Sequence, residues 1–439
     1  MHLNQQNKII PDPIQCMRPS SPPASLAGGP DRFPTRLIRP PIYTAPVIPS
    51  LEDLNWCSFL ARPRLPSPPV EVFEALYRHP MLITGAGGSI GSALALRIGV
   101  LVPPMLLLLE ASESHLYSFK REWSEAGLAC PMTPILGNAS NPALIEHIFI
   151  AHSPRIVFHA AAYKHVPLME EHPLAAIANN IFTTETLVSA ASAHGARVVL
   201  LSTDKAVEPV SVMGATKRVA EQIVLAAGGT VLRLGNVLAS RDSVVETFAR
   251  QIANGGPITV TDPAARRFFL TKDEAVNMLL IAAAIPQPSS LLAPVLPGPH
   301  FISDLAHFMA EELAPDENIA VDFTEPRPGD KDTELLWAPD DLTEPATLQP
   351  EPASLQPAYP TQTSYPESAP ESLDNAMVSI HSATVPAARF EHSLAKLHDA
   401  VDARNLAVAL FHLRKLVPDY TPSPAVLALS KQHGARVSL

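Results

Sequence analysis

The glycine-rich segment MLITGAGGSIG, residues 81–91, constrains the fold of this chain more than any other stretch. Its apolar start is typical of a buried strand, its glycines of a tight turn, and the following SALALRI of a helix. Glycine permits positive φ and lets a ligand approach the backbone. The N–H groups and positive dipole end of the new helix can then hold a pyrophosphate. The alternative interpretation is an ordinary strand–turn–helix with a tight turn.

An acidic residue follows the second apolar run. Glu110 directly follows Met105–Leu109 and stands about twenty residues after the glycines, where a dinucleotide-binding fold places the carboxylate that binds the adenosine ribose. With Gly85, Gly88 and Gly91 at three-residue spacing, the sequence predicts a site for NAD or NADP. A carboxylate repels the 2′-phosphate of NADP, so Glu110 favours NAD without deciding between the two.

Near-continuous apolar strands alternate with amphipathic helices from residue 81 to 235. This alternation predicts the α/β class, with a Rossmann-like, doubly wound parallel sheet and a smaller C-terminal substrate lobe. The predicted parts are a Pro-rich, disordered arm (1–69), an NAD(P)-binding Rossmann domain (70–235), a substrate-binding lobe (236–337), a disordered acidic Pro-rich insertion (338–376) and C-terminal helices (377–439). Within the arm, the segment SLEDLNWCSFL (50–60) has enough apolar residues to become ordered.

Composition excludes several classes of function. The net charge is −11 and no basic block occurs, which argues against nucleic-acid binding. The three cysteines lack the spacing of a zinc site or a disulfide framework, which predicts a reducing, cytoplasmic location and no metal. We expect no integral membrane segment, since no apolar run reaches the length of a membrane helix, and the N-terminus lacks signal-peptide character. A peripheral association with a membrane stays open.

The stretch HAAAYKHVPLMEEHP, residues 159–173, follows the predicted fourth strand. Ala160 and Ala161 would let a cofactor lie close to the backbone, and Lys164 and His165 project from the loop. His165 is more simply a loop histidine than a metal ligand, because only two other histidines are near it in sequence.

The stretch STDKAVEPVSVMGATKR, residues 202–218, follows the fifth predicted strand. Asp204 and Lys205 are an acid and an amine whose pKa values we expect burial and mutual contact to bring toward neutrality. Met213 and Lys217 lie one turn apart on one helix face. Such a set suits oxidation of a sugar hydroxyl; the alternative is a surface ion pair and a solvated lysine.

Seven motifs lie in order along residues 81–337: TGAGGSIGS (84–92), HAAAYKHVPLME (159–170), STDKAVEPVSVMGATKR (202–218), LGNVLASRDSV (234–244), GGPITVTDP (255–263), RFFLT (267–271) and RPGDK (327–331). Together they resemble the CapD-like polysaccharide biosynthesis family, nucleotide-sugar 4,6-dehydratases of the extended short-chain dehydrogenase/reductase superfamily. The resemblance implies an NAD(P)-dependent lyase acting on a UDP-N-acetylhexosamine, UDP-GlcNAc first, and a homo-oligomer. The open alternatives are a UDP-sugar epimerase, a dehydratase that also inverts C5, and a non-catalytic dinucleotide-binding module.

The resemblance also implies roles for matching positions. Asp204 would protonate the departing C6 hydroxyl, Lys205 would remove the C5 proton, and Lys217 would hold the nicotinamide ribose beside Met213. The pyrophosphate would lie on Gly85, Gly88, Ser89, Ile90 and Gly91, with Glu110 on the ribose and Ala160 and Ala161 beside the cofactor. The substrate would contact Lys164, His165, Asn236, Arg241, Arg267 and Arg327.

The sequence departs from the superfamily or family pattern at five positions. Met213 stands where the superfamily usually has a tyrosine, a replacement that some members of this family share. Methionine cannot relay a proton, so the C4 hydroxyl needs another route for its proton, through water held by Lys217 or Asp204. Asn138 stands for an aspartate near the adenine, and Thr183, Ala239 and Asp242 replace glycines. The carboxylate of Asp242 next to an expected diphosphate site should weaken anion binding there.

Overall fold

The computed structural model describes residues 50–346, 348 and 376–436, with side chains described up to residue 432. The strands are β1 (Met81–Thr84), β2 (Leu106–Glu110), β3 (Met132–Leu136), β4 (Ile156–His159), β5 (Arg197–Thr203), β6 (Thr230–Leu234), β7 (Asn236–Val237), β8 (Ile258–Val260), β9 (Arg266–Arg267), β10 (Phe269–Leu270), β11 (Ser290–Pro294), β12 (His300–Phe301), β13 (Val321–Phe323), β14 (Leu342–Pro345) and β15 (Met377–His381).

The α-helices are α1 (Trp56–Leu60), α2 (Val70–Leu76), α3 (Ser89–Gly99), α4 (Glu113–Ala126), α5 (Pro142–His152), α6 (Val166–Glu171), α7 (Pro173–Ile177), α8 (Thr183–Ala193), α9 (Val212–Ala226), α10 (Val244–Ala253), α11 (Lys272–Ala284), α12 (Ile302–Leu313), α13 (Ala387–Asp402), α14 (Leu406–Leu416) and α15 (Pro424–Arg436). A π-helix (Ala178–Phe182) joins α7 to α8, and a 3₁₀ turn (Asp204–Ala206) follows β5.

Nine strands form one sheet in the order β14-β15-β11-β6-β5-β4-β1-β2-β3. Every pairing from β11 to β3 is parallel, whereas β15 runs antiparallel to β11 and to β14. The order reverses at β1, which lies between β2 and β4, and ligands of doubly wound folds bind outside the strand ends at such a point. The predicted fold class is confirmed.

Apolar sequence explains why these strands lie in the centre of the molecule. All residues of β1, β2, β4, β6 and β11 are buried, as a parallel sheet covered by helices on both faces requires. A second, smaller core joins α1, α10, α12 and β8, with Phe59, Phe248 and Met309 among its buried side chains. This smaller core forms the lobe beside the sheet.

Within the described residues, the chain departs from the predicted division into parts at three places. Residues 50–69 of the predicted arm include α1, which lies in the segment 50–60 whose apolar residues allow it to become ordered, and the Arg62 guanidinium pairs with the buried Glu274 carboxylate at 2.6 Å. Burying Trp56 and Phe59 in the smaller core offsets the entropy of ordering this segment. Residues 1–49 lie outside the described part of the chain.

The far edge of the sheet also departs from the prediction. Strand β11 and helix α11 fall in the predicted substrate lobe, yet β11 pairs with β6 in the main sheet. The predicted disordered insertion starts with ordered residues that form β14, and the predicted C-terminal helices are preceded by β15. The rest of the insertion, 347 and 349–375, lies outside the described residues. Among the described helices, none has the length and apolarity that crossing a bilayer demands.

Candidate active site

The glycine turn lies between β1 and α3 at the carboxyl edge of the sheet. Gly85 has φ +67°, and a Cβ there would lie 2.8 Å from the Ala161 Cα at the end of β4. A Cβ on Gly91 would lie 2.1 Å from the Gly85 carbonyl oxygen. The turn therefore packs directly against the Ala160–Ala161 backbone and the first turn of α3, which larger residues would prevent. Ser89 and Ile90 begin the 11-residue helix, whose N-terminus suits an anion.

Glu110 ends β2 with only 8% of its surface exposed. Its Oε2 accepts the Gly87 N–H at 2.9 Å, and its Oε1 accepts the Ser112 N–H at 2.9 Å. Each carboxylate oxygen retains a lone pair for a further donor such as a ribose hydroxyl. Glu110 thus holds the glycine turn from the end of β2, the position in the fold that the sequence predicts.

Asp204 lies directly after β5 and is fully buried. Its Oδ1 accepts hydrogen bonds from Thr203 Oγ1 at 2.8 Å and from Lys205 Nζ at 3.0 Å. Its Oδ2 has no hydrogen-bond partner in the described part of the chain. Because β5, β4 and β1 are parallel neighbours, Asp204 lies at the same sheet edge as the glycine turn, about 10 Å away across two strand spacings.

Lys205 has two further contacts besides Asp204. Its Nζ donates to Asn236 Oδ1 at 3.0 Å and lies 3.9 Å from Glu334 Oε1. Burial lowers the pKa of Lys205, but the carboxylates of Asp204 and Glu334 outweigh burial, so the net pKa is raised. The expectation that this amine moves toward neutrality is therefore wrong in direction, because contact with the Asp204 carboxylate stabilises the ammonium and the Glu334 carboxylate adds to this effect. Asn236, predicted to contact the substrate, accepts a hydrogen bond from Lys205.

Lys217 lies on α9, one turn after Met213, and both side chains are buried. The Lys217 Nζ donates to the Leu201 carbonyl oxygen at 2.7 Å. Burial lowers its pKa to about 8, with partial opposition from Glu221. An amine with this pKa gains and loses a proton near neutral pH.

His159 ends β4, between the glycine turn and the acid–amine pair. Its Nδ1 lies 2.7 Å from Thr84 Oγ1 and its Nε2 lies 3.0 Å from Thr184 Oγ1. Complete burial, and then the charge of Lys217, lower its pKa to about 3. The ring is therefore neutral at physiological pH and links β1 to α8.

Asn180 was missed from sequence, although an asparagine inside a helical pattern is a signal. Within the π-helix, its Oδ1 accepts the Tyr163 N–H at 2.8 Å, and its Nδ2 donates to the Tyr163 carbonyl at 3.1 Å and to Thr216 Oγ1 at 3.0 Å. π-Helical turns occur often at functional sites. Asn180 thus ties the loop after β4 to α9, the helix that carries Lys217.

Two residues predicted to contact the substrate form a chain of hydrogen bonds that reaches the glycine turn. The Arg241 guanidinium donates to the Gly87 carbonyl at 2.5 Å, and the Arg241 N–H donates to Ser89 Oγ at 2.8 Å. The Lys164 Nζ donates in turn to the Arg241 carbonyl at 2.5 Å. The loop from Ala239 to Asp242 therefore lies against the start of α3, with both of these end residues at positive φ.

The remaining predicted substrate residues have different surroundings from one another. Arg267 is buried, donates to the Arg266 and Asp332 carbonyls at 2.8 and 3.1 Å, and lies close enough to Lys205 to oppose its charge. His165 is exposed, and its pKa is lowered by partial burial and then by Lys164. Arg327 is half exposed and pairs with Asp330 at 2.9 Å. Over the described ranges, no group of three or more His, Cys, Asp and Glu side chains is arranged to hold a metal ion.

Comparison with known proteins agrees with this geometry. Residues 81–351 match the family described as "Polysaccharide biosynthesis protein". The chain is 38% identical over 278 residues to the capsular polysaccharide biosynthesis protein CapD of Staphylococcus aureus, covering 60% of this chain and 46% of CapD. It is 36% identical over 216 residues to a UDP-glucose 4-epimerase of Rickettsia canadensis, covering 46% of this chain and 62% of that protein.

Among solved structures, Pen from Bacillus thuringiensis superposes with a TM-score of 0.56 at 29% identity, covering 60% of this chain and 84% of Pen. The chain spans about half the length of CapD and of the Bacillus subtilis protein EpsC, 46% in each case. The match covers the glycine turn, β5 and its 3₁₀ turn, and the segment that carries Glu334. The chain therefore belongs to the polysaccharide biosynthesis protein family.

Proposed function

We propose that this chain is an NAD(P)-dependent nucleotide-sugar 4,6-dehydratase that acts on a UDP-N-acetylhexosamine, with UDP-GlcNAc as the first candidate. The observation that carries the proposal is the buried Asp204–Lys205 pair, 3.0 Å apart at the sheet edge that bears the glycine turn. An acid and an amine in direct contact can protonate one atom of a substrate and deprotonate its neighbour.

The residues around the glycine turn fit a dinucleotide. Gly85 and Gly91 let the turn close against Ala161 and the start of α3, where a Cβ would clash with backbone, and α3 offers its N-terminus for the pyrophosphate. Glu110 would hold the adenosine ribose, and Lys217 the nicotinamide ribose. When bound, the nicotinamide supplies reversible hydride acceptance and donation. Glu110 favours NAD, because a carboxylate there repels the 2′-phosphate of NADP.

Moving one proton would convert the resting pair into the active pair. Transfer from Lys205 Nζ to the Asp204 carboxyl, across their 3.0 Å hydrogen bond, leaves a neutral amine and a neutral acid. The amine then takes the C5 proton of a 4-keto sugar, and the acid gives its proton to the C6 hydroxyl. A C5–C6 double bond forms as water leaves, and the pair returns to carboxylate and ammonium. The transferred proton lies on Oδ1 of Asp204, so Oδ1 is the atom that would donate it to the C6 hydroxyl.

Met213 cannot accept the C4 hydroxyl proton, so another group must do so. Lys217 lies one turn away with its pKa lowered to about 8 by burial, which suits acceptance of this proton through water. We assign it that role beside its contact with the ribose.

The test is the mass of the product. Purified protein is incubated with UDP-GlcNAc and NAD, and the sugar nucleotide is analysed by mass spectrometry, with a panel of other UDP- and dTDP-sugars in parallel. Loss of one water supports the dehydratase, and NMR of the product then reports whether C5 is inverted. A Lys205→Met preparation is the matched blank.

A UDP-sugar epimerase is the second candidate, favoured by the 36% identity to the Rickettsia epimerase. Epimerisation leaves the mass unchanged and alters the sugar, which chromatography detects. Protein that binds NADH yet alters none of the sugars would overturn both enzyme assignments in favour of a binding module.

A further inference from the structure

The proposed acid–base pair has a third charged neighbour, Glu334. Glu334 is 2% exposed, and its Oε1 lies 3.9 Å from Lys205 Nζ. Asp204 and Asn236 each accept a hydrogen bond from the same Nζ at 3.0 Å. An ammonium has three donors, and here three oxygen-bearing side chains surround it.

Lys331 fixes Glu334 from the other side. Its Nζ lies 3.1 Å from Glu334 Oε2 and also donates to the Val207 carbonyl at 2.6 Å, just after the 3₁₀ turn. The segment between them runs beside β9, where Arg266 N–H donates to the Asp332 carbonyl at 2.7 Å. The Glu334 carboxylate therefore lies between the ammonium groups of Lys205 and Lys331, and its Oε2, which accepts no hydrogen bond among the described residues, is held there by charge alone.

The buried ion pair of Arg233 and Glu221 contacts the same segment. The Arg233 side chain on β6 pairs with Glu221 at 2.8 Å and also donates to the Leu336 carbonyl at 3.3 Å. Two residues beyond Glu334, the chain is thus bound to the central sheet. Because the Glu334 carboxylate is buried next to the Lys205 amine, solvent screens the attraction between them only weakly.

We propose that Glu334 is a positioning residue that holds the Lys205 ammonium against Asp204 and stabilises its positive charge. The carboxylates of Asp204 and Glu334 favour the charged form of Lys205, and the Arg267 cation opposes it. Lys331 pairs with Glu334 and competes with Lys205 for its carboxylate. This inference deepens the proposed function and rests on it only for its catalytic consequence, not for the protonation of Lys205.

The test measures Lys205 without using activity. The full chain is trace-labelled with acetic anhydride over a pH series, and the acylation of Lys205 is read by peptide mass spectrometry. Glu334→Gln removes one carboxylate, so the midpoint of Lys205 labelling should move down by roughly one pH unit. Glu334→Asp, which keeps the charge, should lie between the two, and Glu317→Gln, a change at an exposed position, should match the wild type.

Glu334→Asp, which draws the carboxylate back by one methylene, stays decisive if Glu334→Gln does not fold, and Lys331→Met gives a supporting test of opposite sign. Without the competing cation, Glu334 acts on Lys205 more strongly, so the labelling midpoint should rise. Equal midpoints in Glu334→Gln and wild type, or a fall in Lys331→Met, would overturn the inference.

The dehydratase assay then separates the inference from the proposed function. If UDP-GlcNAc loses water, the pH profile of kcat in Glu334→Gln should shift to lower pH by the same amount as the labelling midpoint, which loss of packing alone would not do. A kcat profile that keeps its wild-type position despite a shifted midpoint would contradict the catalytic part. If no sugar is dehydrated by the wild type, the proposed function fails while labelling still decides the role of Glu334.

Discussion

The ends of β1 and β5 lie at one edge of the sheet and are built in opposite ways. The turn after β1 depends on missing side chains, since a Cβ at Gly91 would meet backbone at 2.1 Å. The turn after β5 depends on buried charged side chains, with Asp204 and Lys205 joined by Asn236 and Glu334. The first is a steric site whose parts are adjacent in sequence. The second is an electrostatic site assembled from distant segments.

The largest expected effect concerns the end of β5. Lys205→Met keeps the side-chain stem and removes the amine, so proton transfer at C5 should be lost and kcat should fall by about 10³-fold or more. Binding of NADH, followed by fluorescence titration, should stay close to the wild-type value because the glycine turn is untouched. Lys396→Met, an exposed change on α13, is the control. Turnover that survives in Lys205→Met would show that this lysine is not the base.

The next effect concerns the end of β1. Gly91→Ala forces a methyl group against the Gly85 carbonyl oxygen, so the free energy of unfolding should fall by about 3 kcal/mol, with weaker NADH binding. Urea unfolding measures the change in the free energy of unfolding, and fluorescence titration measures the change in NADH binding.

Gly127→Ala is the matched control for the glycine turn. Gly127 has φ +61° but open space around its Cα, so only the backbone penalty of about 1 kcal/mol applies. If Gly91→Ala costs no more than this control, close packing does not define the glycine turn.

His159 lies between the two sites, and its ionisation makes the free energy of unfolding depend on pH. Its pKa is about 3 in the folded chain against an ordinary value of about 6.5, so the unfolded chain binds more protons as pH falls below 6.5. Stability from this residue is fully present above pH 6.5 and is lost as pH falls toward 3. The wild type should lose about 2 kcal/mol more than His159→Gln between pH 7 and pH 5.

Urea unfolding at the two pH values makes this measurement. His79 is exposed, so His79→Gln should keep the full wild-type pH dependence. A pH dependence in His159→Gln equal to that of the wild type would remove His159 from this account.

The smallest effect concerns the loop that touches the glycine turn. Asp242 has φ +56°, a conformation that glycine adopts without steric penalty, so Asp242→Gly should raise the free energy of unfolding by about 1 kcal/mol. Asp242→Ala lacks this freedom and should give no gain. Thermal unfolding of the two variants compares them, and equal Tm values would show that the loop is unstrained.

The sequence predicted the steric site in detail because its information is local. Strand β1 and helix α3 begin where the apolar run and the glycines indicate. The adjacent pair Asp204–Lys205 was also visible. Glu334 was not, because it lies well over a hundred residues away and reaches Lys205 only through the pairing of its segment with β9. The direction of the Lys205 pKa shift was mispredicted because the carboxylates of Asp204 and Glu334 together outweigh burial.

Long-range pairing also explains the missed strands. β14 and β15 are short and lie in or beside a Pro-rich acidic stretch, where local composition predicts disorder. Their order comes from the exposed edge of β11, which offers backbone hydrogen bonds and buries Met377 and Val378. The buried Arg62–Glu274 pair likewise joins segments that no local pattern connects.

The antiparallel strand β15 has a consequence for how the chain acquires its structure. It is the only partner of β14 within the described sheet, and it caps β11. During translation the far edge of the sheet stays open until the ribosome has passed residue 381, long after the nucleotide-binding half is available to fold. Such late, distant closure is slow, and in the interval the nascent chain offers a bare β-edge that a chaperone or a second nascent chain can occupy.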